Sequence, residues 1–471
     1  MSKVWTAAAC LLTWLAAPRT AAADYLRQEA KLEVSPAMSR GFGMAVAIEG
    51  DTAVVGAPLA DTAWVYVRSG GQWTMQANLG TLYSSAWAFG ASVAVSGDTI
   101  VVGAPNEDRS GLTGPGAAYV FTRSGQFWSQ QAKLVASDAA AMDWFGTSVA
   151  VSGDTAVVGS PLADLTTLVN AGATYVFTRS GAAWAEQTKL VPSDVAQEDR
   201  FGTSVGLSGS LLAVGSINAM QGVKIDAGAV YAYSGGGAIW TLIGKLLATT
   251  PDDYARLGSS VCVSGETVVA GAPSGKANGV ASGVAYIFAP KTAGTSPLAV
   301  LSPSDAQSST DFGRAVGLSD GLAVVNTAGI STAVDPAGYV FTATGGWTQQ
   351  EKLVPPTGAL GFAVALAVSG PAVLVGSGEA AYLFRVPGGD GTACQLAADC
   401  AVGTCTSGTC SSADGGTQED GGAPGDAGTD PGNGKARGPF GCASVTGVPV
   451  IAAIAVIAVW ARRRRRPQAR A

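Results

Sequence analysis

The sequence contains no histidine, so imidazole bases, Ser-His-Asp triads and histidine metal sites are excluded. Carboxylates, cysteines and aromatic rings are left to do any chemistry. Acidic residues recur in segments rich in turn formers: Glu107, Asp108, Asp138, Asp143, Asp194, Glu198, Asp199, Asp252, Asp253, Asp305 and Asp311. Two close carboxylates, one with a raised pKa, would support hydrolysis or elimination on a polymer. A cluster would hold a cation, and the plain alternative is solvated charge and turn capping. Among the aromatics, Trp64, Tyr83, Trp87 and Trp144 fall in or beside loops. Exposed, they would stack on a sugar ring or grip a peptide; buried, they would be core packing. The candidate ligand-binding set is Trp64, Tyr83, Trp87, Trp144, Asp108, Asp143 and Asp199; no catalytic residue and no metal ligand is assigned.

The cysteines divide into three groups. Cys394, Cys400, Cys405 and Cys410 read as two disulfides closing a small knob in an exported chain, with three connectivities open. Zinc is the alternative, although no Cys-x2-Cys pair is present. Cys262 stands where equivalent segments have Ala94 and Ala150, and is expected to be a buried free thiol. Cys10 and Cys442 lie in terminal segments treated below.

These residues must be positioned by a repeat. Phe145 to Pro161 reads Phe-Gly-Thr-Ser-Val-Ala-Val-Ser-Gly-Asp-Thr-Ala-Val-Val-Gly-Ser-Pro, and versions of it place the Phe position at Phe42, Phe89, Phe145, Phe201, Leu257, Phe312 and Phe362. The spacings are 47, 56, 56, 56, 55 and 50 residues. Within a copy, Val149 and Val151 alternate with small residues, Ser-Gly-Asp-Thr marks a type II′ turn, and Ala156 to Val158 returns as a second strand. Ala173 to Thr178 and Trp184 to Leu190 supply strands three and four. A four-stranded sheet with two apolar faces buries both only by stacking, which predicts an all-β, seven-bladed propeller. Strand direction puts the short Ser-Gly-Asp-Thr and Arg-Ser-Gly turns on one face. The other face takes the blade-to-blade connections and the long second-to-third loops 106–116, 162–172, 217–228, 274–283 and 327–338. Binding is expected there.

Phe-Gly followed by Val-Val-Gly-Ala-Pro, cleanest from Phe89-Gly90 to Ala104-Pro105, resembles the FG-GAP repeat of integrin α-subunit propellers and their bacterial relatives. The resemblance covers residues 25 to 386 and implies a surface binding or adhesion module. Calcium does not carry over with it. Integrin-type copies hold an Asp-x-Asp-x-Asp-Gly loop, whereas this interval holds only turns such as Ser-Gly-Asp (96 to 98, 152 to 154), too few oxygens for a calcium ion. No cofactor is expected.

The ends complete the plan. Lys3, the apolar run Trp5 to Ala17 and Ala21-Ala22-Ala23 have the order of a secretory signal over residues 1–23, cleaved after Ala23 and removing Cys10. The propeller occupies 24–387. Tyr25 to Leu32 looks like a fourth strand without a blade, while the last copy ends after its third strand, Ala381 to Val386. The first strand therefore completes the last blade, and deleting residues 24 to 34 should open the ring. A Cys-rich module (388–411) and a disordered Gly/Asp-rich linker (412–440) follow. Residues 441–471 hold Cys442, the apolar run Val445 to Ala461, and Arg462, Arg463, Arg464, Arg465 and Arg466. This order resembles the C-terminal sorting signal of myxobacterial surface proteins. By that resemblance, sorting machinery processes the chain at Cys442, which becomes the anchor on the outer membrane surface of a Gram-negative bacterium. The alternative is a retained single-pass transmembrane helix. A net charge of −6 offers no basic surface for nucleic acid. The expected function is binding of an extracellular glycan or protein; the alternatives are a carboxylate-dependent hydrolase or lyase and a structural coat protein.

Overall fold

The computed structural model describes residues 25–36, 39–80, 88–327, 336–356 and 361–387, and the backbone of Thr404–Thr406, Thr409–Ser411 and Cys442–Ser444. Seven antiparallel blades follow one another, six with their strands in chain order and the seventh with the N-terminal strand at its outer edge. Blade 3, the most regular, comprises Ser148–Ser152, Thr155–Ser160, Ala173–Ser180 and Ala183–Leu190. The second strand of each blade is buried nearly end to end and mostly apolar, rather than alternating, because both its faces are covered by neighbouring blades. The outermost strand, Ala183–Leu190, alternates between exposed and partly covered positions because it borders solvent.

The order of turn residues selects the turn. In Ser-Gly-Asp-Thr, Gly153 has φ 58° and Asp154 stays at negative φ, the type II′ pattern. In blade 6 the order is Ser-Asp-Gly, and Asp320 (φ 45°) and Gly321 (φ 78°) are both positive, the type I′ pattern.

The repeated motif residues pack both inside each blade, through their aromatic rings, and across blade boundaries, through their glycines. Phe145 packs edge-on against Tyr175 with ring centroids 5.4 Å apart, and Phe89–Tyr119, Phe201–Tyr231 and Phe312–Tyr339 repeat the contact. A Cβ added to Gly159, in the Val-Val-Gly segment of blade 3, would lie 2.0 Å from the carbonyl oxygen of Gly202, the Phe-Gly glycine of blade 4. Gly56 with Gly90, Gly103 with Gly146 and Gly215 with Gly258 show the same approach.

Closure follows the sequence expectation. Arg27–Leu32 pairs antiparallel with Ala381–Arg385, placing Leu32 opposite Ala381 and Arg27 opposite Arg385. A Cβ on Gly376 of blade 7 would meet the carbonyl of Gly43 in blade 1 at 2.0 Å, so the glycine contact also spans the seam.

Two findings concern the cysteines. Cys262 is fully buried and disulfide-bonded, which corrects the expectation of a free thiol; its burial was legible, its bond was not. In the tail, Cys405 and Cys410 occupy opposed backbone positions of a two-stranded hairpin, whereas Cys394 and Cys400 lie outside the described residues. So do the signal with Ala23, the linker, the run 445–461 and Arg462 to Arg466. Among the described residues no helix is long and apolar enough to cross a membrane.

Cys442–Ser444 forms a fifth strand on the inner edge of blade 7, with Cys442 opposite Val368, Ala443 opposite Ala367 and Ser444 opposite Leu366. It also lies against the innermost strands of blades 1, 2, 4, 5 and 6. Its place is therefore the central channel.

Candidate binding face

The irregular face is built of a two-part unit. In blades 2 to 5 the second-to-third connection turns back on itself through paired backbone bonds, between Arg109 and Leu112, Leu165 and Leu168, Gln221 and Lys224, and Ala277 and Val280. The connection to the next blade then lies against this hairpin. The amides of Trp144, Arg200 and Arg256 donate to the carbonyls of Gly114, Asn170 and Asp226 at 3.3, 3.2 and 3.1 Å. To make these bonds the connection adopts left-handed backbone at non-glycine residues: Met142 and Trp144, Glu198 and Arg200, Tyr254 and Arg256. That conformation is sparsely populated, so the unit holds its side chains in fixed places.

Most carboxylates of this face are committed to the scaffold. Glu107 is buried and accepts hydrogen bonds from the Tyr119 hydroxyl at 2.7 Å and from Lys133. Asp138 accepts from Tyr175 at 2.8 Å and Lys189 at 2.6 Å, and Asp305 accepts from Tyr339 and Lys352 in blade 6. Burial acts to raise Asp138 and Asp305, but the bonds from lysine and tyrosine outweigh it and hold both below the usual carboxylate range. Asp194 binds Lys245 at 2.7 Å, and Asp253 accepts the amide of Ile225 at 3.0 Å. Among the described residues no group of three or more acidic or cysteine side chains could hold a metal ion.

The sequence-derived site residues are dispersed. Trp64 lies within the third strand of blade 1, 5% exposed, in the core shared with blade 7, so for it the packing alternative holds. Trp144 is on the irregular face but only 8% exposed, its indole nitrogen close to Gly114. Tyr83 and Trp87 lie outside the described residues. Asp108 accepts the Gly114 amide at 2.8 Å and so ties its own loop. Asp143, 4% exposed, accepts the Ala140 amide at 2.7 Å, and Asp199 accepts the Ala196 amide at 2.9 Å. Burial pushes Asp143 up to about 6 and also raises Asp199. The arrangement at Asp143 thus repeats one blade later.

A different group reaches solvent. Val169, Met220, Val223, Ile225 and Tyr254 are exposed apolar side chains on the hairpins of blades 3 and 4 and the connection into blade 5; Val223, at a hairpin tip, is 87% exposed. The Tyr254 amide donates to Ile225 O at 2.7 Å, so these two residues are neighbours. Aromatic and acidic residues stand out in the sequence by type, whereas these aliphatic ones do not. The available signal was the tip position, glycine at Gly111 and Gly279 but Val223 in blade 4.

The FG-GAP repeat profile matches residues 27–72, 84–121, 128–177, 184–233 and 240–288. The last three matches each begin in the fourth strand of one blade and end in the third strand of the next. The sequence repeat is thus one strand out of phase with the blade, the offset that closure by Arg27–Leu32 creates. No curated protein matches the chain. The chain is an FG-GAP repeat protein, folded as a seven-bladed β-propeller.

Proposed function

We propose that this protein is a binding module of the cell exterior that engages a protein or glycan ligand through its irregular face, centred on the hairpins of blades 3 and 4. FG-GAP repeats are typical of extracellular and surface proteins. The secretory signal and the C-terminal apolar run and arginine cluster read in the sequence agree with export and tethering at an outer membrane surface. The observation that carries the reading is the exposed group Val169, Met220, Val223, Ile225 and Tyr254, held on strained, hydrogen-bonded loops beside carboxylates already engaged by the scaffold. Solvated apolar side chains on a fixed backbone favour a partner that covers them. The aliphatic character of four of the five makes a protein surface the better fit.

Catalysis by paired carboxylates has less support. The raised Asp143 is hydrogen-bonded within its own loop, and its counterpart Asp199 repeats that bond, as scaffold residues do. The central channel, where a propeller commonly offers a pocket, is occupied by Cys442–Ser444.

The test is capture from detergent-solubilised envelope proteins, run beside a glycan array. Val223→Asp and Tyr254→Ala should each weaken binding at least tenfold. Phe127→Asp, at a position 81% exposed on the outer strand of blade 2, should leave it intact. Binding indifferent to the first two changes, or release of cleavage products from a polymer, would overturn the reading.

A further inference from the structure

We infer that the disulfide of Cys262 is made to Cys442, so that the C-terminal segment is stapled inside the channel of the wheel. Cys262 is on the innermost strand of blade 5, Ser260–Ser264, and its sulfur lies 3.7 Å from the carbonyl oxygen of Leu318 on the innermost strand of blade 6. Cys442–Ser444 runs alongside both of these strands. The remaining cysteines are placed otherwise. Cys405 and Cys410 hold opposed backbone positions of their own hairpin, Cys394 and Cys400 belong to the same 17-residue cluster, and Cys10 falls in the segment read as a signal. Cys442 is the cysteine that the backbone brings to the inner ring.

The ring is suited to receive a strand. The positions equivalent to Cys262 are Ala47, Ala94, Ala150, Gly206, Gly317 and Ala367, small in each of the other blades. At two of them the crowding is explicit: a Cβ on Gly206 would meet Val263 at 3.0 Å, and one on Gly317 would meet Val368 at 2.7 Å. A cysteine there is larger than its counterparts, and a bond into the channel accounts for the exception. Forming it removes one proton and one electron from each thiol. Both electrons and both protons pass to an acceptor disulfide of an oxidising compartment, which becomes a dithiol.

The direction of the strand adds a consequence. Blade 7's first strand runs from the irregular face to the hairpin face, and Cys442–Ser444 runs antiparallel to it. The chain therefore passes through the wheel from the hairpin face, where Val386 ends the last blade against Pro371, towards the irregular face. A stapled Cys442 is also unavailable for lipid attachment, so the bond and processing at this cysteine exclude one another.

The experiment is proteolytic mapping of the full chain, isolated under oxidising conditions and alkylated without reductant. The expected result is a single linked pair joining the Cys262 and Cys442 peptides, separated by reduction. Cys262→Ala, which copies the residue of four other blades, should fold and make Cys442 the one newly alkylated cysteine. Cys262 linked to Cys394, Cys400, Cys405 or Cys410, or Cys442 recovered carrying a lipid or as a free thiol from the parent chain, would overturn the inference.

Discussion

Gly159 and Gly202 illustrate what a motif residue does in this molecule. The carbonyl of one glycine occupies the space a Cβ on the other would need, and backbone on both sides leaves nothing that can rotate away. Gly159→Ala should therefore cost about 3 kcal/mol of stability, the upper end of the usual range for overpacked cores. Gly181→Ala at a hairpin turn, with open space around it but φ 62°, should cost only about 1 kcal/mol. Urea midpoints of the two variants check the contrast, and equal losses would contradict it. One boundary shows the alternative solution. Where blade 6 meets blade 7 the glycine pair is replaced by Asn326 and Ala363: the Asn326 side-chain amide donates to the Ala363 carbonyl, and its oxygen accepts the Ala315 amide at 2.6 Å. The repeat marked these positions in the sequence, but periodicity alone did not reveal that the two halves of the motif touch each other across a boundary.

Strands and loops were unequally legible. Alternating valines and turn glycines placed the blade 3 strands within two residues of their observed limits, because local patterning and burial agree there. The irregular face was located by strand direction alone, yet its exposed residues were not found. Exposure there depends on the hairpin-and-connection unit, whose equivalent left-handed residues Met142, Glu198 and Tyr254 share no composition. Asp143 tests this unit. Its folded pKa, raised to about 6 by burial, lies above the unfolded value of about 3.9. The folded chain thus holds the proton more tightly; the associated stability is present below pH 4 and is lost as pH rises to about 6. Asp143→Asn keeps an oxygen to accept the Ala140 amide and carries no charge. It should be more stable than the parent at pH 7 by about 1 kcal/mol, with the gain vanishing near pH 4. Thermal unfolding at both pH values measures the difference, and a variant less stable at pH 7 would show that the charge itself holds the loop.

At the scale of the whole wheel, closure was readable because two deficits matched, a fourth strand missing at one end and an unassigned strand at the other. The channel strand was not readable, since nothing near Cys442 announces a partner about 180 positions earlier. Closure also concentrates charge in one place. Glu29, on the N-terminal strand that completes blade 7, accepts from Arg385 on the neighbouring strand at 2.6 Å, and from Arg68 and Trp73 of blade 1, the latter at 3.0 Å. One carboxylate thereby joins the first strand, the last blade and the first blade. Arg68 is nearly buried. Glu29→Ala removes the carboxylate that this buried guanidinium, Arg385 and Trp73 share, which should cost about 3 kcal/mol. The loss falls at the seam, so the variant should unfold first there, with hydrogen exchange rising in Arg27–Leu32 and Ala381–Arg385 before it rises in blade 3. Uniform exchange around the ring would mean that the wheel opens elsewhere and that the glycine contact between Gly376 and Gly43 holds the seam without help.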